Sequence, residues 1–316
     1  MLFRSVTIFL EGEEESGSPS LLPFLDANRD ELGAAEVALI CDTNMWDKDT
    51  PAISTGLRGL VGEEVTITAA DKDLHSGYFG GAAANPIRIL AEIIADLHDE
   101  NGAVTLPGFY DGVPELPDEV RKVWDGLGFD EADFLGQVNL SVPAGEKGRS
   151  VLEQTWSRPT AEVNGISGGY TGKGFKTVIA SQAMAKISFR LVFDQDPQKI
   201  REAFRAFVTA RLPADCSVSF AEHGASPAIQ LPFESPVLQT ARAALSDEWP
   251  NPAVMIGMGG SIPVVGEFKR RLDMGSLLIG FGLGDDQIHS PNEKYDVESF
   301  HKGIRSWARI LERLSH

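Results

Sequence analysis

The stretch Ile8-Phe9-Leu10-Glu11-Gly12-Glu13-Glu14-Glu15-Ser16-Gly17-Ser18 decides how this chain is read. The apolar run from Val6 to Leu10 is predicted to be a buried strand. It empties into four carboxylates and a Gly/Ser turn. Ser18 or Ser20 can then cap a helix that starts near Pro19. Open α/β sheets bind their ligands beyond the C-terminal ends of the strands. Like charges gathered there repel unless a divalent metal or a catalytic proton offsets them. The competing reading is a solvated acidic turn.

Working outward, Leu21 to Leu32 is predicted to be one amphipathic helix, with Leu21, Leu25 and Leu32 on its apolar side. Glu36 to Asp42 is a second short strand that also ends in a carboxylate. Thr50 to Leu60 reads as a crossing between domains. The pattern then changes. Gly62 to Ala70 alternates Val65, Ile67 and Ala69 with Glu64, Thr66 and Thr68, as a half-exposed antiparallel strand does. Helices are expected over Asn85 to Leu97 and Pro197 to Leu212. Strands are expected over Lys176 to Ile179, Ala185 to Phe193 and Cys216 to Phe220. Leu106 to Phe134 is an excursion with short helices. This is the pattern of a compact α+β insert. From about Ala228 the first pattern returns, with a helix over Ser235 to Ser246, strands at Val254 to Met258 and Leu277 to Phe281, and a closing helix from Val297 to Leu314. The expected fold is α/β: a catalytic domain built from residues 1–55 and 227–316, carrying an inserted α+β lid at 56–226.

The chain has 316 residues, 42% hydrophobic and 23% charged, which is enough for two cores. A formal net charge of −18 disfavours nucleic acid and anionic membrane surfaces as partners. No stretch approaches the length of a membrane span. Two cysteines, Cys41 and Cys216, cannot build a disulfide framework and suit a reducing, cytoplasmic setting.

Four loops after predicted strands carry polar or metal-type side chains: Glu11 to Glu15, Asp42, Gly259-Gly260-Ser261, and Asp285/Asp286/His289. Carboxylate with imidazole is a zinc-type donor set. There is no His-Glu-x-x-His or paired-cysteine signature, so a metal site requires separate loops to converge.

Several of these stretches, taken in order, resemble the di-zinc metallopeptidase family of carnosinase, cytosolic non-specific dipeptidase, aminoacylase and succinyl-diaminopimelate desuccinylase. They are Phe9 to Ser18, Asp42, Thr55-Gly-Leu-Arg-Gly59, Asp73-Leu-His-Ser-Gly77, Lys176-Thr-Val-Ile179, Arg190 to Val192, Gly259 to Val264 and His289 to Glu293. The carnosinase-like dipeptidase branch is the most similar.

The resemblance implies metal-dependent hydrolysis of an amide bond in a dipeptide or an N-acyl amino acid, with zinc, or manganese or cobalt, as cofactor. Glu14 would be the general base, and Glu15, Asp42 and His289 the metal ligands. His75 would reach across a homodimer formed through the lid to hold the oxyanion. Thr177, also supplied across the dimer, would contact substrate with Arg190, Ser261 and, on a weaker match, His223. An arginine fork suits a substrate carboxylate. Taken singly, Asp42 also fits a turn or cap, His75 a turn, Arg190 a pair with an acid, and Ser261 a cap.

The family also carries an upstream His-x-Asp-x-x-Pro segment that supplies a histidine and a bridging aspartate. Only ten residues precede Glu11, none of them His or Asp. The sequence therefore reads as an N-terminally shortened member. Its alternatives are a weakly active or non-catalytic fragment and an N-acyl amino acid deacylase.

Overall fold

A computed structural model describes residues 6–315, without the side chain of Glu15. The strands, in chain order, are β1 (Val37–Ile40), β2 (Ala52–Leu57), β3 (Gly59–Thr68), β4 (Leu74–His75), β5 (Thr160–Gly168), β6 (Val178–Ile179), β7 (Gln182–Leu191), β8 (Ser217–Ser226), β9 (Ile229–Gln230), β10 (Val254–Met258) and β11 (Gly275–Leu278). They form two main sheets and a short ribbon. The first sheet runs β1-β11-β2-β10, with β9 added to β2. The second runs β5-β7-β3-β8 and is antiparallel throughout. The ribbon pairs β4 with β6.

In the first sheet β1 runs parallel to β11, and β10 parallel to β2. The helices Pro236–Ser246 and Val297–Leu314 cover it, and its core gathers Ile53, Leu238, Leu245, Met255, Leu277, Ile279 and Ile310. Beyond β11 the chain presses against the extension of β1. A Cβ on Gly280 would lie 1.8 Å from the carbonyl oxygen of Thr43, so only glycine allows this approach.

The second sheet follows from β3. Its residues alternate between buried and half-buried along the whole strand. Val61, Val65 and Ile67 face the helices Pro86–Ala95 and Pro197–Thr209, and their core includes Leu90, Ile93, Phe189, Phe204 and Phe207. Each helix starts at a side-chain cap followed by proline. Asn85 accepts from the Ile87 N–H at 3.0 Å, and Asp196 from the Gln198 N–H at 2.8 Å. Glu63 shares the buried face of β3. Its carboxylate accepts from Arg201 Nε at 2.9 Å and Arg205 Nε at 2.8 Å.

Three expectations are corrected. The strand predicted over Val6 to Leu10 does not form: residues 6–10 are irregular, and Val6, Ile8 and Leu10 are 59%, 80% and 88% exposed. A run of apolar residues becomes a buried strand only beside a partner, and among the described residues β1 pairs with β11 alone. Phe9 is what holds this stretch, its ring 5.3 Å from Phe24 and 6.3 Å from Phe268.

The helix predicted from Leu21 to Leu32 breaks into Leu21–Ala27 and Arg29–Leu32. At the break Asn28 leaves helical geometry, with φ −116°, and its side chain donates to the Phe24 carbonyl at 2.8 Å. Most of the segment Thr50 to Leu60 is not a crossing. Its residues 52–57 form the wholly buried β2, where Thr55 Oγ1 donates to the Ile256 carbonyl at 2.9 Å.

Candidate active site

The acidic stretch forms a single 3₁₀ turn, Glu14–Ser16, ending at Gly17 with φ 82°. Glu13 is structural: its carboxylate accepts from the Ser20 N–H at 2.9 Å and closes the loop into the following helix. Ser20 takes the cap position of that helix without a side-chain capping bond. Phe9 packs against the cluster of Leu21, Leu25, Phe268 and Met274, which Ala38 and Ile40 of β1 also cover, so the acidic turn and β1 are tied to one small core. The Glu14 side chain is exposed, and that of Glu15 lies outside the described residues.

Asp42 follows β1 and is exposed. Two residues on, Asn44 bridges Gly282 in parallel, so the ends of β1 and β11 stay side by side. His289 sits in the loop after β11, exposed, with φ 61°. The buried Asp286 pins that loop, accepting from the Leu283 N–H and from Lys294 Nζ, both at 2.7 Å. Burial pushes the Asp286 carboxyl up, but Lys294 and the Leu283 N–H outweigh it and leave the group below the ordinary carboxylate value.

Asp42 and His289 thus lie beyond neighbouring strand ends. Among the described residues, no three His, Cys, Asp or Glu side chains are grouped to hold a metal ion. Two described donors fall short of the three protein ligands that a catalytic zinc takes. The described residues therefore do not by themselves make up a metal centre.

His75 ends β4 and caps the short helix Ser76–Phe79. Its Nδ1 accepts from the Gly77 N–H at 3.0 Å, and its Nε2 lies 3.3 Å from Thr177 Oγ1. Residues 102 apart in sequence thus meet on the ribbon, and both are exposed. Tyr78 in that short helix and Phe175 in the loop before β6 are 84% and 89% exposed. His223 is exposed on β8 at a bulge opposite Gly62, and its Nε2 is 3.9 Å from Glu64.

Arg190 and Ser261 come together at the junction of the two sheets. Arg190 Nη1 donates to Ser261 Oγ at 3.0 Å, and Ser261 Oγ in turn donates to the Arg58 carbonyl. Arg58 was not singled out from the sequence, although it lies inside Thr55-Gly-Leu-Arg-Gly59. It is the one residue between β2 and β3. Its Nε donates to the Gly259 carbonyl at 2.9 Å, and its backbone N–H to the Gly260 carbonyl at 3.1 Å. Burial, with the Arg190 cation adding to it, pulls the Arg58 guanidinium down to about 10. Burial also lowers Arg190. The chemistry on offer is two guanidinium groups and a hydroxyl in a partly dehydrated corner, which suits an anion.

The class defined here is a two-sheet α/β protein in which an antiparallel sheet is inserted into a mixed one and a corner with two guanidinium groups lies where they join. The chain belongs to the M20 peptidase family, whose peptidase dimerisation domain matches residues 55–216, more than half of the sequence. It is 31% identical over 312 residues to a Cys-Gly metallodipeptidase of Schizosaccharomyces pombe, covering 96% of this chain and 65% of the relative. It is 26% identical over 312 residues to the human Beta-Ala-His dipeptidase, covering 97% of this chain and 61% of that protein.

Among solved structures, the M20 metallo-carboxypeptidase of Sulfolobus solfataricus matches with a TM-score of 0.85 and 28% identity, over 96% of this chain and 69% of that one. The di-peptidase Dug1p of Saccharomyces cerevisiae matches with a TM-score of 0.83 and 26% identity, over 96% and 64%. The chain therefore spans a little under two thirds of the curated relatives it matches. The relatives named as metallodipeptidases and metallo-carboxypeptidase imply a divalent metal in their own reactions. Among the described residues, no helix is long and apolar enough to cross a membrane.

Proposed function

We propose that this protein is a metal-dependent dipeptidase, hydrolysing the amide bond of a dipeptide that keeps a free C-terminal carboxylate. The observation that carries this reading is the Arg190–Ser261 contact, which brings a strand of the second sheet against the loop after β10 of the first. In this reading the corner takes the substrate carboxylate, and Glu14 takes a proton from the attacking water. Glu15, Asp42 and His289 are metal donors of a set the described residues leave incomplete, with zinc, manganese or cobalt as the ion. His223 lies on the substrate side. The division into 1–55 with 227–316 and a lid at 56–226 belongs to the same proposal, as does a homodimer through the lid. In that dimer the exposed pair His75–Thr177 serves the partner's site. Both cysteines are free, which is consistent with a cytoplasmic setting.

The test is turnover by the 316-residue chain of Cys-Gly, β-Ala-His and an N-acetyl amino acid, each with added zinc or manganese. Dipeptide hydrolysis that a chelator abolishes and metal restores is expected. Turnover of the N-acetyl amino acid alone would make the protein a deacylase. No turnover of any amide, with metal bound stoichiometrically, would leave the hydrolase reading without support.

A further inference from the structure

We infer that Arg58 is a specificity-determining residue: a second cation of the Arg190–Ser261 corner, selecting ligands that carry a free carboxylate. The inference rests on the dipeptidase reading for the kind of ligand, and on Arg58's own surroundings for the rest. Two of its donors and its carbonyl are spent on the turn Gly259-Gly260-Ser261. Its Nη1 is buried and has no hydrogen-bond partner among the described residues. A buried, charged donor without a partner is rare in folded proteins and calls for a missing acceptor.

Among the described residues, the carboxylate that acts on this corner is Glu162, through a Coulombic pull on Arg58. Burial lowers both guanidinium groups. The Arg190 cation lowers Arg58 further. An arginine serving only as a staple for the turn would need Nε and its backbone, and gains nothing from a dry, unpaired Nη1. A ligand carboxylate supplies the acceptor and the opposite charge in one step. A neutral C-terminal amide supplies an acceptor without the charge.

The experiment is calorimetric titration of the 316-residue chain with β-Ala-His and with its C-terminal amide. In the unaltered protein the free acid binds at least about tenfold tighter than the amide. Arg58→Gln lowers affinity for the acid roughly 10- to 100-fold, the range for a hydrogen bond to a charged group. It leaves the amide nearly unchanged, and Arg58→Lys recovers part of the loss. Equal binding of acid and amide by the unaltered protein, binding of neither, or an unchanged ratio in Arg58→Gln overturns the inference.

If Arg58→Gln does not fold, the unaltered protein still decides. Its Arg58 Nε–H resonance, assigned by its loss in Arg58→Lys, shifts with the acid and not with the amide. A resonance that ignores both ligands also overturns the inference. Binding is read without turnover, so the two readings fail separately. Selective binding without hydrolysis removes the dipeptidase reading and leaves the subsite. Hydrolysis with an unaltered ratio in Arg58→Gln removes the subsite.

Discussion

Replacing Glu63 with alanine is expected to destabilise the second sheet by about 3–5 kcal/mol, the cost of breaking a buried ion pair from one side. The Glu63 side chain is wholly buried, and Arg201 beside it is only 5% exposed. Removing the carboxylate strands the Arg201 guanidinium under the helix that carries it. The nearest remaining carboxylate is Glu222, at 3.5 Å. Arg205 suffers less, because it is 31% exposed and keeps Glu222 at 3.0 Å. Most of the loss is therefore the stranded charge rather than the absent bond.

A second variant separates the two. Glu63→Leu with Arg201→Met removes both charges and refills the space with apolar atoms. It should fall within about 1 kcal/mol of the unaltered protein, since a buried pair replaced as a unit is often neutral or stabilising. Urea-induced unfolding at neutral pH measures both. A loss below about 1 kcal/mol for Glu63→Ala, or an equal loss for the apolar pair, refutes the reasoning. Arg201 Nη2 also donates to the His223 carbonyl at 2.7 Å. Glu63→Ala should therefore loosen the bulge that carries His223, visible as faster amide hydrogen exchange there.

Ser261→Ala removes the hydroxyl that joins Arg190 to the Arg58 carbonyl. A rise in KM of roughly tenfold to a hundredfold on a dipeptide, with the melting temperature little changed, is expected; an unchanged KM would detach Ser261 from the substrate. Gly280→Ala drives a methyl group into the Thr43 backbone and should cost about 3 kcal/mol or more, read as a lost or lowered thermal transition. The Asp286 carboxyl sits below its ordinary value of 3.8, so its contribution to stability is present at neutral pH and is lost as pH falls below that value. Asp286→Asn should therefore flatten the acid limb of a stability–pH profile, and an unaltered limb would contradict the assignment.

Three of the four strands of the second sheet and its two helices were legible because each carries its own local signal, whereas β5, half exposed and interrupted by Asn164 and Gly165, went unread. Val65, Ile67 and Ala69 alternate with Glu64, Thr66 and Thr68, and Asn85-Pro86 and Pro197 mark the predicted helix starts, where the structure has them. Val254 to Met258 and Val297 to Leu314 stand at the predicted bounds. The first sheet was harder. Val6 to Leu10 has the composition of a strand, but composition does not show whether a neighbour is there to accept its hydrogen bonds. β2 hid for the opposite reason: it buries Ser54 and Thr55, so it lacks an unbroken apolar run.

At the site, Arg190 and Ser261 were legible through resemblance, and the structure adds the contact between them. Arg58 sat inside a quoted motif without a role, because what marks it is burial and an unpaired nitrogen. Neither is visible in a string of letters.

The second sheet leaves the first through Arg58 alone, between Leu57 and Gly59, and returns through Pro227 and Ala228, between β8 and β9. The two straps touch: a Cβ on Gly59 would lie 2.6 Å from both the Ser226 carbonyl oxygen and the Ala228 nitrogen. The backbone passes between the sheets at these three residues, where a hinge would fall. Arg190 and Ser261 stand on opposite sides of that pivot, so a change in the angle between the sheets would change the distance between them. A ligand that draws the two together reports the angle, and a substitution that stiffens Pro227–Ala228 would tune affinity without touching the ligand.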